Sequence, residues 1–197
     1  MAKLKSISKS QRFRLACSSA FVFILALQFL RSGSLAWGIA FFLASSFLYF
    51  RETANMLSAL PLFVGAVSAP FFFPHGLGTG IAILFSVVIA ALFGTALGVK
   101  NLILIHRAAL LEASAYALAY VALLLFFMQV LSLAFLPIWL YAVCALWLSS
   151  YLLTRDYRLA LISATFMGEL IWIVSWLPIG FLNSASVCFA ITLFACD

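Results

Sequence analysis

Apolar residues run along this chain in blocks of 16 to 25 positions, separated by short polar breaks. Eight such blocks can be drawn, at roughly 13–30, 35–50, 54–74, 77–98, 109–133, 135–153, 159–177 and 179–196. About 20 apolar residues in a helix cross the hydrocarbon core of a bilayer. A segment in lipid must satisfy its own backbone hydrogen bonds, so each block is predicted to be helical. A transmembrane β-barrel needs strands of about ten residues with strict alternation, and these blocks do not alternate. The expected class is all-α, a polytopic helical membrane protein with about eight spans, forming a single membrane domain over 1–197.

Composition agrees. The chain is 67% hydrophobic and 8% charged, where soluble domains carry about a quarter charged residues, and its mean hydropathy is +1.24. The breaks are too short to hold a soluble domain. The basic residues orient the spans. Lys3, Lys5, Lys9, Arg12 and Arg14 precede the first span, Arg51 follows the second, Lys100 and Arg107 the fourth, and Arg155 and Arg158 the sixth. Eight crossings put all ten on one face and leave Arg31 alone on the other, so the positive-inside rule sets both termini in the cytoplasm. The cytoplasmic membrane of a bacterium or archaeon is the expected location. Basic residues dispersed over short loops make no nucleic-acid patch. The first span has the basic start and apolar core of a signal peptide, with Ser34-Leu35-Ala36 as a small-residue site. Arg31 between core and site favours its retention as a helix.

A repeat organises the blocks. Ser-Ser-Phe-Leu-Tyr-Phe-Arg-Glu at 45–52 returns 104 residues later, at 149–156, as Ser-Ser-Tyr-Leu-Leu-Thr-Arg-Asp. Pro74-His75-Gly76 returns at the same offset as Pro178-Ile179-Gly180, and Gln28 is answered by Gln129 after a three-residue shift. These are the rarer residue types, and they fall at equivalent places in the topology. Two four-span units are expected, about 10–100 and 105–197. A unit with an even number of spans keeps its orientation when copied, so the repeats are parallel.

Further features belong to packing. Gly78, Ala82, Ser86, Ala90, Gly94 and Gly98 set a small residue at every fourth position of the fourth span. Such ridges let helices approach closely in lipid, within one chain or in a homo- or hetero-oligomer. Pro61, Pro70 and Pro74 are expected to kink or break the third span. Trp37, Trp139, Tyr141, Trp176, Tyr49, Tyr151 and Tyr157 near span ends suggest an interfacial belt. Cys17, Cys144, Cys188 and Cys196 lack metal or redox spacing and are expected to be small buried hydrophobes.

Candidate chemistry rests on few residues. Glu52 and Asp156 are repeat mates beside arginines, and Asp197 is terminal. Glu169 is the eleventh residue of a nineteen-residue block, near the bilayer midplane. Ionisable residues at that depth cost on the order of 2.5–3.5 kcal/mol on insertion scales and mark functional sites. Its carboxyl is expected to be protonated unless a cation meets it, with Thr165, Trp172 and Trp176 on the same face. Glu112, Tyr116 and Tyr120 form an i, i+4, i+8 stripe on the fifth span. Both tyrosines lie at a depth from which they can hydrogen-bond Glu169. The plainer readings are a glutamate tying two helices together and an interfacial Glu112 near Arg107.

His75 and His106 fall on opposite faces and share no metal cage. No catalytic motif is present, no cofactor is implied, and the seventh span has no lysine for a retinal Schiff base. The leading expectation is a transporter-like or channel-like protein that moves a small or lipid-like solute, with Glu169 as proton or substrate site. The alternative is a non-catalytic membrane subunit packing against a larger partner. A lipid-modifying enzyme is third. Membrane lipids are the expected surroundings and nucleic acid is not a partner.

Overall fold

Alanine, leucine and phenylalanine dominate the blocks, and each block holds a helix in the computed structural model. The structure describes residues 9–51, 56–74, 78–101, 107–129, 135–177 and 180–196. Glu52, His75, Gly76, His106, Pro178, Ile179 and Asp197 lie outside the described residues. Among the described residues there are eight α-helices, one 3-10 turn and no strand. They are α1 Lys9–Ser32, α2 Leu35–Phe50, α3 Met56–Ser68 with the turn Ala69–Phe72, α4 Thr79–Lys100, α5 Arg107–Gln129, α6 Phe135–Thr154, α7 Tyr157–Ser175 and α8 Phe181–Cys196. Five are long and apolar enough to cross a membrane: α1, α4, α5, α6 and α7. They mark the chain as a multi-pass helical membrane protein. α2, α3 with its turn, and α8 are apolar but shorter.

The helix ends have local causes. α1 stops at Gly33, whose φ of 61° lets its N–H reach the Phe29 carbonyl at 2.8 Å, the left-handed cap that glycine favours. α3 holds Pro61 in its interior and then tightens into the 3-10 turn over Pro70. A proline has no N–H to give and its ring crowds the carbonyl four residues back. Ser68 Oγ donates to the Val64 and Gly65 carbonyls at 2.7 and 3.2 Å, at the point where the α-helical ladder ends. The third apolar block is therefore broken, as its prolines predict.

Packing pairs α1 with α4 and α2, α3 with α4, α5 with α6 and α8, and α6 with α7. α3 also meets α5 and α6, joining the two halves of the chain. One core draws on α1 through α6, and a second on α5 through α8. At the α3–α5 crossing a Cβ on Gly65 would stand 2.4 Å from Leu118 Cδ2, so only glycine permits the approach. Tyr49 and Tyr141, expected in an interfacial belt, are instead buried: Tyr49 stacks on Phe63 at 4.1 Å and Tyr141 on Phe72 at 4.5 Å. Trp176 and Tyr157 are 77% and 59% exposed. Cys188 is buried, whereas Cys17 and Cys144 are exposed on outer helix faces.

Candidate functional site

α7 buries Ala160, Ala164, Met167, Gly168, Ile171 and Val174. The reason is steric: a Cβ on Gly168 would stand 2.9 Å from Val143 Cγ2, so α6 lies directly against this face. Trp139 of α6 fastens the contact by donating its indole N–H to the Gly168 carbonyl at 3.3 Å. One residue further on, about 100° around the helix, Glu169 points away from the bundle and is exposed. Thr165, Trp172 and Trp176 are exposed with it, the face expected from spacing. Thr165 turns its hydroxyl back to the Leu161 carbonyl at 2.8 Å. Trp172 lies edge-on to Trp139 with ring centres 6.5 Å apart. Ile162 and Ile173, 67% and 62% exposed, complete an outward apolar surface around the carboxyl.

The stripe on α5 has another setting. Glu112 is exposed and Tyr116 half-buried, and together with Leu111, Leu152, Leu153 and Arg155 they line a cleft of about 300 Å³ at one end of α5 and α6. Arg155 sits there with φ 59°, a left-handed conformation unusual for a side-chain-bearing residue. Tyr120 does not line this cleft; its ring packs on Phe189 of α8 at 5.2 Å. Tyr116 also meets Phe189, at 6.4 Å. The expected approach of Tyr116 and Tyr120 to Glu169 is absent. The tyrosines turn toward α8, while the carboxylate turns outward from α7. Asp156 caps α7 by accepting from the Arg158 N–H at 2.8 Å.

The small-residue ridge of α4 is mostly used inside the chain. Ala82, Ser86, Ala90 and Gly98 are buried, and a Cβ on Gly94 would stand 2.6 Å from Ser19 Oγ of α1. Gly78 departs from the ridge: it is exposed at the start of α4 and has open space around it.

The least expected residue is Lys100, which in the sequence serves only as a topology marker. It is fully buried, donates from Nζ to the Tyr49 carbonyl, and stands 4.4 Å from the centre of the Tyr49 ring. The carbonyls of the last turn of a helix have no partner within it, so a lysine from α4 serves the end of α2. The only sequence signal is a cation in the last turn of an apolar helix, which gives no clue to its partner.

Among the described residues no group of three or more His, Cys, Asp or Glu side chains can hold a metal ion. No protein-family model matches the chain, and neither curated proteins nor solved structures give a match.

Proposed function

We propose that this chain is a non-catalytic membrane subunit whose α7 face docks a transmembrane helix of a partner or of a second copy. The observation that carries this reading is the outward placement of Glu169 on an apolar surface. A carboxyl facing lipid near mid-depth is penalised by on the order of 2.5–3.5 kcal/mol. A neighbouring helix offering a hydroxyl, amide or cation removes that penalty. The exposed indoles of Trp172 and Trp176 add contact area of the kind enriched at interfaces. The α4 ridge, the other candidate face, is largely occupied within the chain, which favours α7.

The architecture proposed with it is eight spans in two parallel four-helix repeats, both termini cytoplasmic. Burial in α2 and α6 supports the duplication. Gly38, Phe41 and Ser45 are buried, and so are their mates Ala142, Ala145 and Ser149. α4 and α8 share a pattern one residue out of step: Ala82 and Ala185, Phe85 and Cys188, and Ile89 and Thr192 are buried 103 positions apart. The first and fourth helices of each unit also pack together.

A second reading, transport of a small or lipid-like solute, is favoured by the cleft that gathers Glu112, Tyr116 and Arg155. Purification in mild detergent separates the two. Under the subunit reading the wild-type chain migrates above its monomer mass of 21.6 kDa, and Glu169→Leu reduces it to monomer. A wild-type chain that is monomeric in nanodiscs as well as detergent refutes that reading. Transport predicts solute flux in proteoliposomes that Glu112→Gln abolishes and Glu169→Leu spares.

A further inference from the structure

A small polar pocket opens at the end of the bundle where α1 begins and α2 and α4 end. Gln11, Arg14 and Ser18 reach it from α1, Arg51 from the end of α2 and Asn101 from the end of α4, with leucines completing the wall. Its volume is about 90 Å³. Drug-sized ligands occupy roughly 300–1,000 Å³, so this space suits one small polyatomic ion. Among the described residues, two arginines line it and no carboxylate does.

The surrounding electrostatics favour an anion. The C-terminal end of a helix carries partial negative charge, which opposes anion binding. Here Lys100 donates to the Tyr49 carbonyl at that end of α2, two residues before Arg51, and offsets it. Asn101 Oδ1 is buried and makes no hydrogen bond among the described residues. Since an amide turns over to present nitrogen or oxygen, Asn101 can serve either the oxygens of an anion or a hydroxyl or ammonium attached to it. The planar guanidinium fork matches phosphate oxygens in pairs. The pocket also lies at the helix ends, the depth of lipid phosphates, and basic pockets between transmembrane helices suit lipid headgroups.

We propose that this pocket binds a phosphate oxyanion, carried by a phospholipid headgroup or as free phosphate. Arg14 and Arg51 bear its charge, and Gln11, Ser18 and Asn101 are its neutral partners.

Native mass spectrometry of the full chain in mild detergent tests this, with phosphatidylglycerol as one probe and inorganic phosphate as the other. The wild type retains one phosphatidylglycerol. The double variant Arg14→Gln, Arg51→Gln binds it about ten-fold or more weakly, the loss expected for charged hydrogen bonds. Arg158→Gln, which removes an exposed arginine elsewhere, leaves binding unchanged. Displacement of the lipid by millimolar phosphate assigns the site to phosphate from either source, and lack of displacement assigns it to the headgroup. Absence of binding to wild type, or equal loss in Arg158→Gln, overturns the proposal. Should the double variant not fold, phenylglyoxal labelling of the wild type replaces it. Phosphatidylglycerol or phosphate must protect Arg14 and Arg51 but not Arg158, and equal labelling in their presence overturns the assignment.

Discussion

Lysine is almost never fully buried unless its charge is met, and Lys100 meets a carbonyl and a ring face on one residue, Tyr49. Removing the ammonium leaves the Tyr49 carbonyl without that donor in a buried setting. Lys100→Met keeps most of the volume and is expected to cost about 1–3 kcal/mol, the penalty for an unsatisfied buried polar group. Thermal denaturation in detergent reads the loss, and an unchanged midpoint would show that the contact contributes nothing. Gly65 is constrained differently. Its missing side chain is what lets α3 reach Leu118, itself wholly buried. Gly65→Ala forces Leu118 from its rotamer and should destabilise by about 1–3 kcal/mol, typical of overpacking. Leu118→Ala opens a cavity and costs about 2–5 kcal/mol alone. The two changes compensate in volume, so the double variant should cost less than their sum. Neither residue declared its role in the sequence, because each partner sits on another helix. The 104-residue alignment pairs Gly65 with Glu169, and the two occupy opposite environments, one at a crowded crossing and one facing outward.

Helix extents were legible because length and polarity alone set them. The block 35–50 is α2 to the residue, and the breaks around Gly33 and Asp156 fall at observed helix ends. Helix faces were not legible. In lipid the outward surface is as apolar as the core, so Ile162 and Ile171 look alike in sequence although one is exposed and the other buried. Spacing correctly grouped Thr165, Glu169, Trp172 and Trp176, yet could not say whether that group faces in or out. The corner between α6 and α7 gives a prediction at this scale. Arg155 holds a left-handed conformation, which costs a non-glycine residue about 1–2 kcal/mol, while glycine in a folded element loses roughly 0.5–1 kcal/mol in entropy. Arg155→Gly should therefore be as stable as wild type or up to about 1.5 kcal/mol more stable, whereas Arg155→Ala gains nothing. Asp156→Ala, which deletes the α7 cap, should lose about 0.5–2 kcal/mol. Comparing the three melts checks the corner: equal gains for Gly and Ala would remove backbone strain as the cause.

The 104-residue echo invites the picture of two independent bundles, but the cores are not divided that way. Leu111, Ala115, Leu118, Val121, Ala122 and Leu125 of α5, with Tyr141, Ala145 and Leu152 of α6, belong to the same core as α1 to α4. The second core again uses α5 and α6, through Ala119, Leu123, Phe126, Ile138, Ala142 and Leu146. These two helices therefore serve both halves, and α3 reaches across to them while Tyr141 donates to the Gly65 carbonyl at 3.5 Å. Gln129 of α5 adds a donor to the Phe72 carbonyl at the broken end of α3. A fragment of residues 1–104 loses all of these partners. It keeps the short helices α2 and α3, and 16 residues of α2 span only about 24 Å at 1.5 Å per residue, less than the ~30 Å hydrocarbon core. Mismatch of that kind is met by thinning, tilting or association, and in the whole chain α5 and α6 supply the association for α3. Expressed alone, 1–104 should insert but remain protease-sensitive and aggregate in detergent. Coexpressed with 105–197 it should copurify as a protease-resistant pair with the thermal midpoint near that of the intact chain. A monodisperse, protease-resistant 1–104 fragment on its own would mean that the shared helices are not needed, and that each half of the chain closes its own core.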